Sequence, residues 1–142
     1  MSLKVGPDIE EVWWTEYHMM VHKIAKQVRE NLQVQQIVAL GRGGFVPGAH
    51  LSNLLDVPLI PLMWQTRDGE VQEKITTDLN TLIVDDINDS GKTLRQVIDY
   101  NTWNGSLWTA VLVNKTWSSF TNVDYIGMTS DNSNWISFPW ER

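Results

Sequence analysis

Leu82-Ile83-Val84-Asp85-Asp86-Ile87-Asn88-Asp89-Ser90-Gly91-Lys92-Thr93 changes character twice along its length. Its aliphatic, β-branched beginning reads as a buried parallel strand, apolar on both faces. Two adjacent carboxylates, Asp85 and Asp86, stop that run and are expected to end the strand. A small polar loop containing Gly91 follows, and Leu94, Val97 and Ile98 then begin a helical spacing. Strand, loop and helix in this order place the loop at the carboxyl edge of an α/β sheet, where ligands bind. The unpaired amides at the start of the helix suit a phosphate.

The Gly91-Lys92-Thr93 ending invites comparison with the Walker A loop, which needs a further glycine five positions before Gly91. That position is Asp86, a carboxylate where the backbone would have to touch phosphate, so a nucleoside-triphosphatase loop is excluded. Two acids ahead of a small-residue phosphate loop suit a ligand that carries both a phosphate and a diol. The carboxylates accept hydrogen bonds from ribose hydroxyls while the loop amides hold the phosphate. The whole stretch resembles the phosphoribosyl-pyrophosphate (PRPP) motif of type I phosphoribosyltransferases. A buried strand with an acidic N-cap would explain its apolar half but not the paired acids.

A second loop supports the first. Ile37-Val38-Ala39-Leu40 reads as a strand and is followed by Gly41-Arg42-Gly43-Gly44-Phe45-Val46-Pro47-Gly48. Glycines at this density allow a tight turn and close approach of a ligand. Arg42 among them offers a fork of donors suited to phosphate. Pro47 favours a helix start, with Leu51, Leu54 and Leu55 as its buried face. The segment looks like the pyrophosphate loop of the purine-salvage branch, with Gly41 where that branch often has serine. The resemblance implies a non-proline cis peptide at Gly41–Arg42 and pyrophosphate contacts from Gly41, Arg42 and Gly43.

At the C-terminal end, Trp108–Val113 reads as a buried strand with Lys115 just past it. Val123–Met128 reads as a further strand, and Trp135-Ile136-Ser137-Phe138-Pro139-Trp140 as a closing segment. Asp124-Tyr125, Trp135-Ile136 and Pro139-Trp140 are similar to the tail of bacterial xanthine-guanine phosphoribosyltransferases. That resemblance implies Lys115 at the purine O6, Trp135 stacked on the base, and the Ile136 backbone at the C2 substituent. Ser137 stands where relatives commonly have an acid, and Lys115 lacks their following proline; both bear on base preference more than on reaction type.

Between the two loops, Val57–Met63 reads as a strand whose prolines, Pro58 and Pro61, suggest an edge position or irregular pairing. Residues 64–77 lose apolar periodicity and read as a polar connection. The resemblance makes it a mobile lid, with Arg67 and Lys74 as pyrophosphate contacts. Ahead of everything, Trp13, Tyr17, Met20, Val21, Ile24, Ala25, Val28 and Leu32 recur at helical spacing. Thr15 or Glu16 stands near the start of that helix and Asn31 near its end. His18 and His22 share a face of it, and with no third ligand nearby they read as surface or packing histidines. Residues 1–11, with Pro7, read as a loose arm.

The chain's 142 residues are enough for one domain with a real core. A net charge of −6 leaves no general basic surface for nucleic acid. There is no cysteine for disulfide or thiol chemistry, and no apolar run long enough to cross a bilayer. Without a signal-peptide pattern, the expected compartment is the cytoplasm.

The expected architecture is therefore an α/β domain of type I phosphoribosyltransferase fold. It has a mostly parallel central sheet flanked by helices and a small base-binding hood over residues 114–142. The implied activity is Mg2+-dependent transfer of 5-phosphoribosyl from PRPP to a 6-oxopurine (xanthine, guanine or hypoxanthine). Asp85 and Asp86 are assigned to ribose and metal, Asn88, Asp89, Ser90, Gly91, Lys92 and Thr93 to ribose and 5′-phosphate, and Asp89 also to proton handling at the purine N7. Relatives form dimers or tetramers, which implies a homo-oligomer. The alternatives are a non-catalytic PRPP- or nucleotide-binding regulator of the same fold, and an enzyme for a non-purine acceptor.

Overall fold

The computed structural model describes residues 8–31, 33–64 and 74–142. Five parallel strands form the central sheet: β2 (Gln36–Gly41), β3 (Leu59–Met63), β5 (Thr81–Asn88), β7 (Leu107–Lys115) and β8 (Tyr125–Ser130). Their order is β3-β2-β5-β7-β8, so the chain turns outward in opposite directions on either side of the β2–β5 pair. Such a reversal opens a crevice at the carboxyl ends of the two central strands. Those ends carry the two loops singled out above.

Alternate residues of each strand feed opposite faces of the sheet. Ile37, Leu82, Val84, Ala110 and Leu112 pack with α1 (Trp14–Arg29) and α2 (Phe45–Leu55) on one side. Val38, Leu40, Ile83 and Val111 pack with Leu94 and Val97 of α3 (Lys92–Tyr100) on the other. The buried stripe of α1 is Tyr17, Met20, Val21, Ile24, Ala25 and Val28, as its periodicity requires. The His18 and His22 rings lie 4.0 Å apart between centroids, tilted by 40°, and the His50 ring of α2 comes within 5.6 Å of His22. Among the described residues, no group of three His, Cys, Asp or Glu is arranged to hold a metal ion.

Several boundaries differ from the sequence reading. β5 does not stop at the carboxylates: it runs through Asp85 and Asp86 to Asn88, because Ile87 and Asn88 still pair with Val113 and Asn114 of β7. Lys115 is the last residue of β7 rather than a residue beyond it, held by pairing to Ser130. β8 begins at Tyr125, two positions later than expected, with Asp124 capping the start of the β7 pairing through Thr109.

The arm is the larger correction. Ile9–Glu11 forms a strand, β1, parallel to β9 (Trp135–Ser137). The Trp135 amide donates to Asp8 at 2.6 Å and the Val12 amide to Ser137 at 2.9 Å. Arg142 closes the pairing with an ion pair to Glu11 at 3.3 Å and a bond to the Val12 carbonyl. Residues 9–11 are therefore paired with the closing segment, which shortens from the expected run to β9 plus a 3-10 turn at Pro139–Glu141. Met1–Pro7 lie outside the described residues.

Of the expected lid, residues 65–73 also lie outside the described residues. Its end is fixed: β4 (Thr76–Thr77) pairs with β6 (Thr102–Trp103) at the amino edge of the sheet, where Gln36 bridges Thr77 and Thr81.

Gly44 shows how tightly the first loop seats on the sheet. A Cβ there would meet the carbonyl oxygens of Val84 at 2.5 Å and Leu40 at 2.7 Å, both backbone atoms that cannot step aside. Gly44→Ala is expected to destabilise the protein by about 1–3 kcal/mol, read as a lower urea midpoint at unchanged slope. An unaltered midpoint would show that the loop is free of the sheet.

Candidate active site

Two adjoining cavities open at the carboxyl ends of β5 and β7. The smaller, about 200 Å³, is lined by Asp85, Asp86, Ile87, Asn88, Asp89, Ser90, Gly91, Thr93 and Leu94. The larger, about 420 Å³, is lined by Asp86, Ile87 and Asp89 again, together with Lys115, Trp117, Asn134, Trp135, Ile136 and Glu141 among others. The shared residues make one continuous wall, so a single ligand can occupy both spaces.

The smaller cavity is formed by the turn from β5 into α3. Gly91 holds a left-handed φ of 88° at the start of α3, where a side chain would be strained and would strike Ser118 and Phe120. Ser90 accepts the Lys92 amide at 3.2 Å. Lys92 itself is exposed and does not line the cavity. Asn88 lines this cavity, as its assignment requires, and its side chain also ties neighbouring segments together. It donates to Asn114 at 2.8 Å and to the Phe120 carbonyl at 2.9 Å, and accepts from Ser118 at 2.9 Å. Its place is to brace the loop.

Beside this cradle, the Gly41–Arg42 peptide is cis, as the resemblance implied. Gly43 packs directly on the Asp86 carboxylate, in the space its own Cβ would take. The glycine loop and the acids are thus one surface, with the exposed Arg42 at its rim. Lys74 is not brought to it. Its ammonium lies over the Tyr100 ring at 4.8 Å, at the far end of α3, roughly 12 Å along the helix from the phosphate loop. Arg67 lies outside the described residues.

In the larger cavity Lys115 is only 2 % exposed. Its three ammonium hydrogens go to Ser130 Oγ at 3.0 Å and to the carbonyls of Asn132 and Asn134 at 2.7 and 3.0 Å. A ligand oxygen must share one of these donors. Trp135 presents its indole 59 % exposed, a large apolar face left open to the cavity. Ile136 is buried and also lines this cavity. The Trp135 amide and the Ser137 carbonyl bond toward β1, and successive residues of a strand direct their backbone groups to opposite edges. Trp117 and Glu141 are lining residues that sequence reasoning missed. Trp117 sits in a turn without periodicity, and Glu141 is placed only by the 3-10 turn.

Asp85 and Asp86 dominate the electrostatics. Burial pushes the Asp85 carboxyl well above the usual range, and the neighbouring Asp86 charge pushes it further. Burial raises Asp86 as well, against hydrogen bonds from Asp85 and the Ile87 amide that favour its charged form. Two such groups, side by side, hold a proton beyond the pH at which ordinary carboxylates lose theirs.

Residues 14–141 match the family model described as "Phosphoribosyl transferase domain". A xanthine-guanine phosphoribosyltransferase of Idiomarina loihiensis is 27 % identical over 144 aligned residues, covering 92 % of this chain and 85 % of that protein. Among solved structures, a purine phosphoribosyltransferase from Pyrococcus horikoshii is similar at a TM-score of 0.81 and 29 % identity, covering 95 % of each chain. The xanthine-guanine-hypoxanthine phosphoribosyltransferase of Helicobacter pylori shares the fold at a TM-score of 0.73 and 22 % identity, covering 94 % of each chain.

The acid pair sets a pH dependence of known sign. Because its pKa is raised above the ordinary 3.8, folded Asp85 binds more protons than the unfolded chain, and stability falls as pH rises through that window. Asp85→Asn keeps the acceptor used by the Asp86 amide and removes the charge. With chelator present, it is expected to raise the neutral-pH melting temperature by about 3 °C or more, roughly 1 kcal/mol in a domain of this size. The gain should vanish below about pH 4, where both states are protonated. Superimposable wild-type and variant profiles would show that the pair carries no such penalty.

Proposed function

The chain belongs to the phosphoribosyl transferase domain family, and on that premise we propose that it transfers 5-phosphoribosyl from PRPP to a 6-oxopurine, releasing pyrophosphate. The observation that carries this reading is the pair of cavities joined along Asp86, Ile87 and Asp89. One suits a ribose phosphate and the other a flat, polar-edged base, and they meet where the glycosidic bond would form.

In this reading the C1′–oxygen bond to pyrophosphate breaks as a ring nitrogen of the base bonds to C1′. Positive character develops at C1′, so catalysis is mainly positioning and charge stabilisation. Amides and hydroxyls of Ser90 to Thr93 hold the 5′-phosphate, and Arg42 with the Gly41 and Gly43 backbone holds the pyrophosphate. Asp85 and Asp86 accept hydrogen bonds from the ribose hydroxyls. The incoming base loses a proton from N7, and Asp89 takes it. Lys115 addresses the purine O6, Trp135 stacks on the ring, and the outward Ile136 backbone meets the C2 substituent.

Mg2+ fits this site, because it takes one or two protein carboxylates and fills its remaining positions with water and phosphate oxygens. Asp85 and Asp86 are the residues that would hold it, and it would neutralise charge on the pyrophosphate.

Purified protein with PRPP and magnesium is expected to release pyrophosphate when xanthine, guanine or hypoxanthine is added. Asp89→Asn should lower kcat about a hundredfold or more, the usual contribution of a positioned proton acceptor. Trp135→Ala should raise the KM for the base at least about tenfold through the lost stacking. Tight PRPP binding without turnover on any purine would replace the enzyme with a regulator.

A further inference from the structure

The turn that follows β7 brings Trp117 against both groups just assigned to the base. Its indole N–H donates to Asp89 Oδ1 at 3.0 Å. The face of the same ring lies 5.1 Å from the Lys115 ammonium. All three residues line the larger cavity, and Trp117 remains 47 % exposed beside it.

The turn is built to hold this position. The Ser118 amide donates back to Lys115 at 3.1 Å, and Ser118 Oγ to Asn88 at 2.9 Å. Ser119 donates twice to the Ser90 carbonyl, from its amide at 3.0 Å and its hydroxyl at 2.7 Å. Asn88 returns a bond to the Phe120 carbonyl at 2.9 Å. Gly91 lets Phe120 and Ser118 pack against the phosphate loop without a side chain between them. Residues 118–120 are thus fastened to the phosphate loop, and Trp117 is presented at a fixed point above it.

We propose that Trp117 is a positioning residue of the base site, holding Asp89 and Lys115 in fixed relation so that together they meet one edge of a purine. The assignment rests on the reaction read above. An indole nitrogen is a donor only, so its bond persists only while Asp89 Oδ1 stays an acceptor. The proton from the base is thereby directed to Oδ2. The electron-rich face of the ring attracts the ammonium, restraining Lys115 from the cavity side while its three hydrogen bonds restrain it from the other. The purine N7 and O6 lie on the same edge of the base, so the spacing of their two partners decides whether both can be engaged at once. Trp117 acts through Asp89 and Lys115, not on the reacting atoms.

Trp117→Phe keeps an aromatic face over Lys115 and removes only the N–H; Trp117→Leu removes both. For the phenylalanine variant kcat is expected to fall roughly tenfold while the KM for the base stays within about twofold. The leucine variant should also raise that KM. Independently of turnover, the Trp117 indole N–H resonance in Asp89→Ala should move upfield relative to wild type. A Trp117→Phe protein with unchanged kcat and KM overturns the assignment, and so does an indole signal indifferent to Asp89→Ala. Should the phenylalanine variant fail to fold, the indole measurement decides alone. A wild type silent with every purine overturns the reaction and this assignment together, whereas an active wild type with an unchanged variant overturns the assignment only.

Discussion

Two carboxylates held side by side at the buried end of the central strand are the constraint on which the rest of the site depends. Strand pairing continues through them to Asn88, so their backbone is fixed by the sheet and not by a flexible loop. Burial makes their joint ionisation costly, and mutual repulsion adds to the cost. A protein selected for stability alone would place apolar residues there, as it does at Ile83 and Val84. In the proposed reaction the acids supply a preorganised acceptor surface, the kind of feature for which active sites commonly give up stability. Gly43 and Gly44 belong to the same constraint, because a side chain on either would collide with Asp86 or with the strand backbone.

Around that fixed centre, polar side chains serve as braces between loops. Asn88 joins β5 to β7 and to the segment after it through three hydrogen bonds. Lys115 joins the end of β7 to the loop leading into the hood through three more. Each is buried, so a partner lost on either side would leave an unsatisfied group at a cost of about 1–3 kcal/mol. Binding residues on loops become precise only when such links hold the loops against the sheet. Here they hold the two adjoining cavities in fixed relation, the arrangement that the proposed reaction requires.

What the sequence disclosed follows from where the information lies. The β5 stretch and the Gly41–Gly44 loop are local motifs in which strand, loop and helix starts are encoded within a few residues, and both were legible. The carboxylates seemed to end the strand because acids resist burial; tertiary pairing with Val113 and Asn114 overrode that preference. Lys74 was assigned to the pyrophosphate through the resemblance, but α3 leads back to the amino edge of the sheet and Tyr100 holds the lysine there. Ile9–Glu11 carries no alternation, and its partner strand stands at the opposite end of the chain, so nothing local announced it. Trp117 was hidden for a related reason. Its role arises only when one loop crosses another.

The pairing of β1 with β9 has a consequence for recognition. An isolated strand of three residues has little stability of its own, and β9 gains its backbone order from β1 on one edge and from the buried Ile136 and Phe138 beneath. With the Trp135 amide and Ser137 carbonyl turned toward β1, strand alternation directs the Ile136 amide and carbonyl to the opposite edge, and Ile136 is among the residues lining the larger cavity. In the proposed reaction these are the groups that meet the C2 substituent, which is where xanthine, guanine and hypoxanthine differ. Base discrimination would then be set partly by residues 9–11, which touch no ligand, and by the Arg142–Glu11 ion pair that ties the two chain ends together.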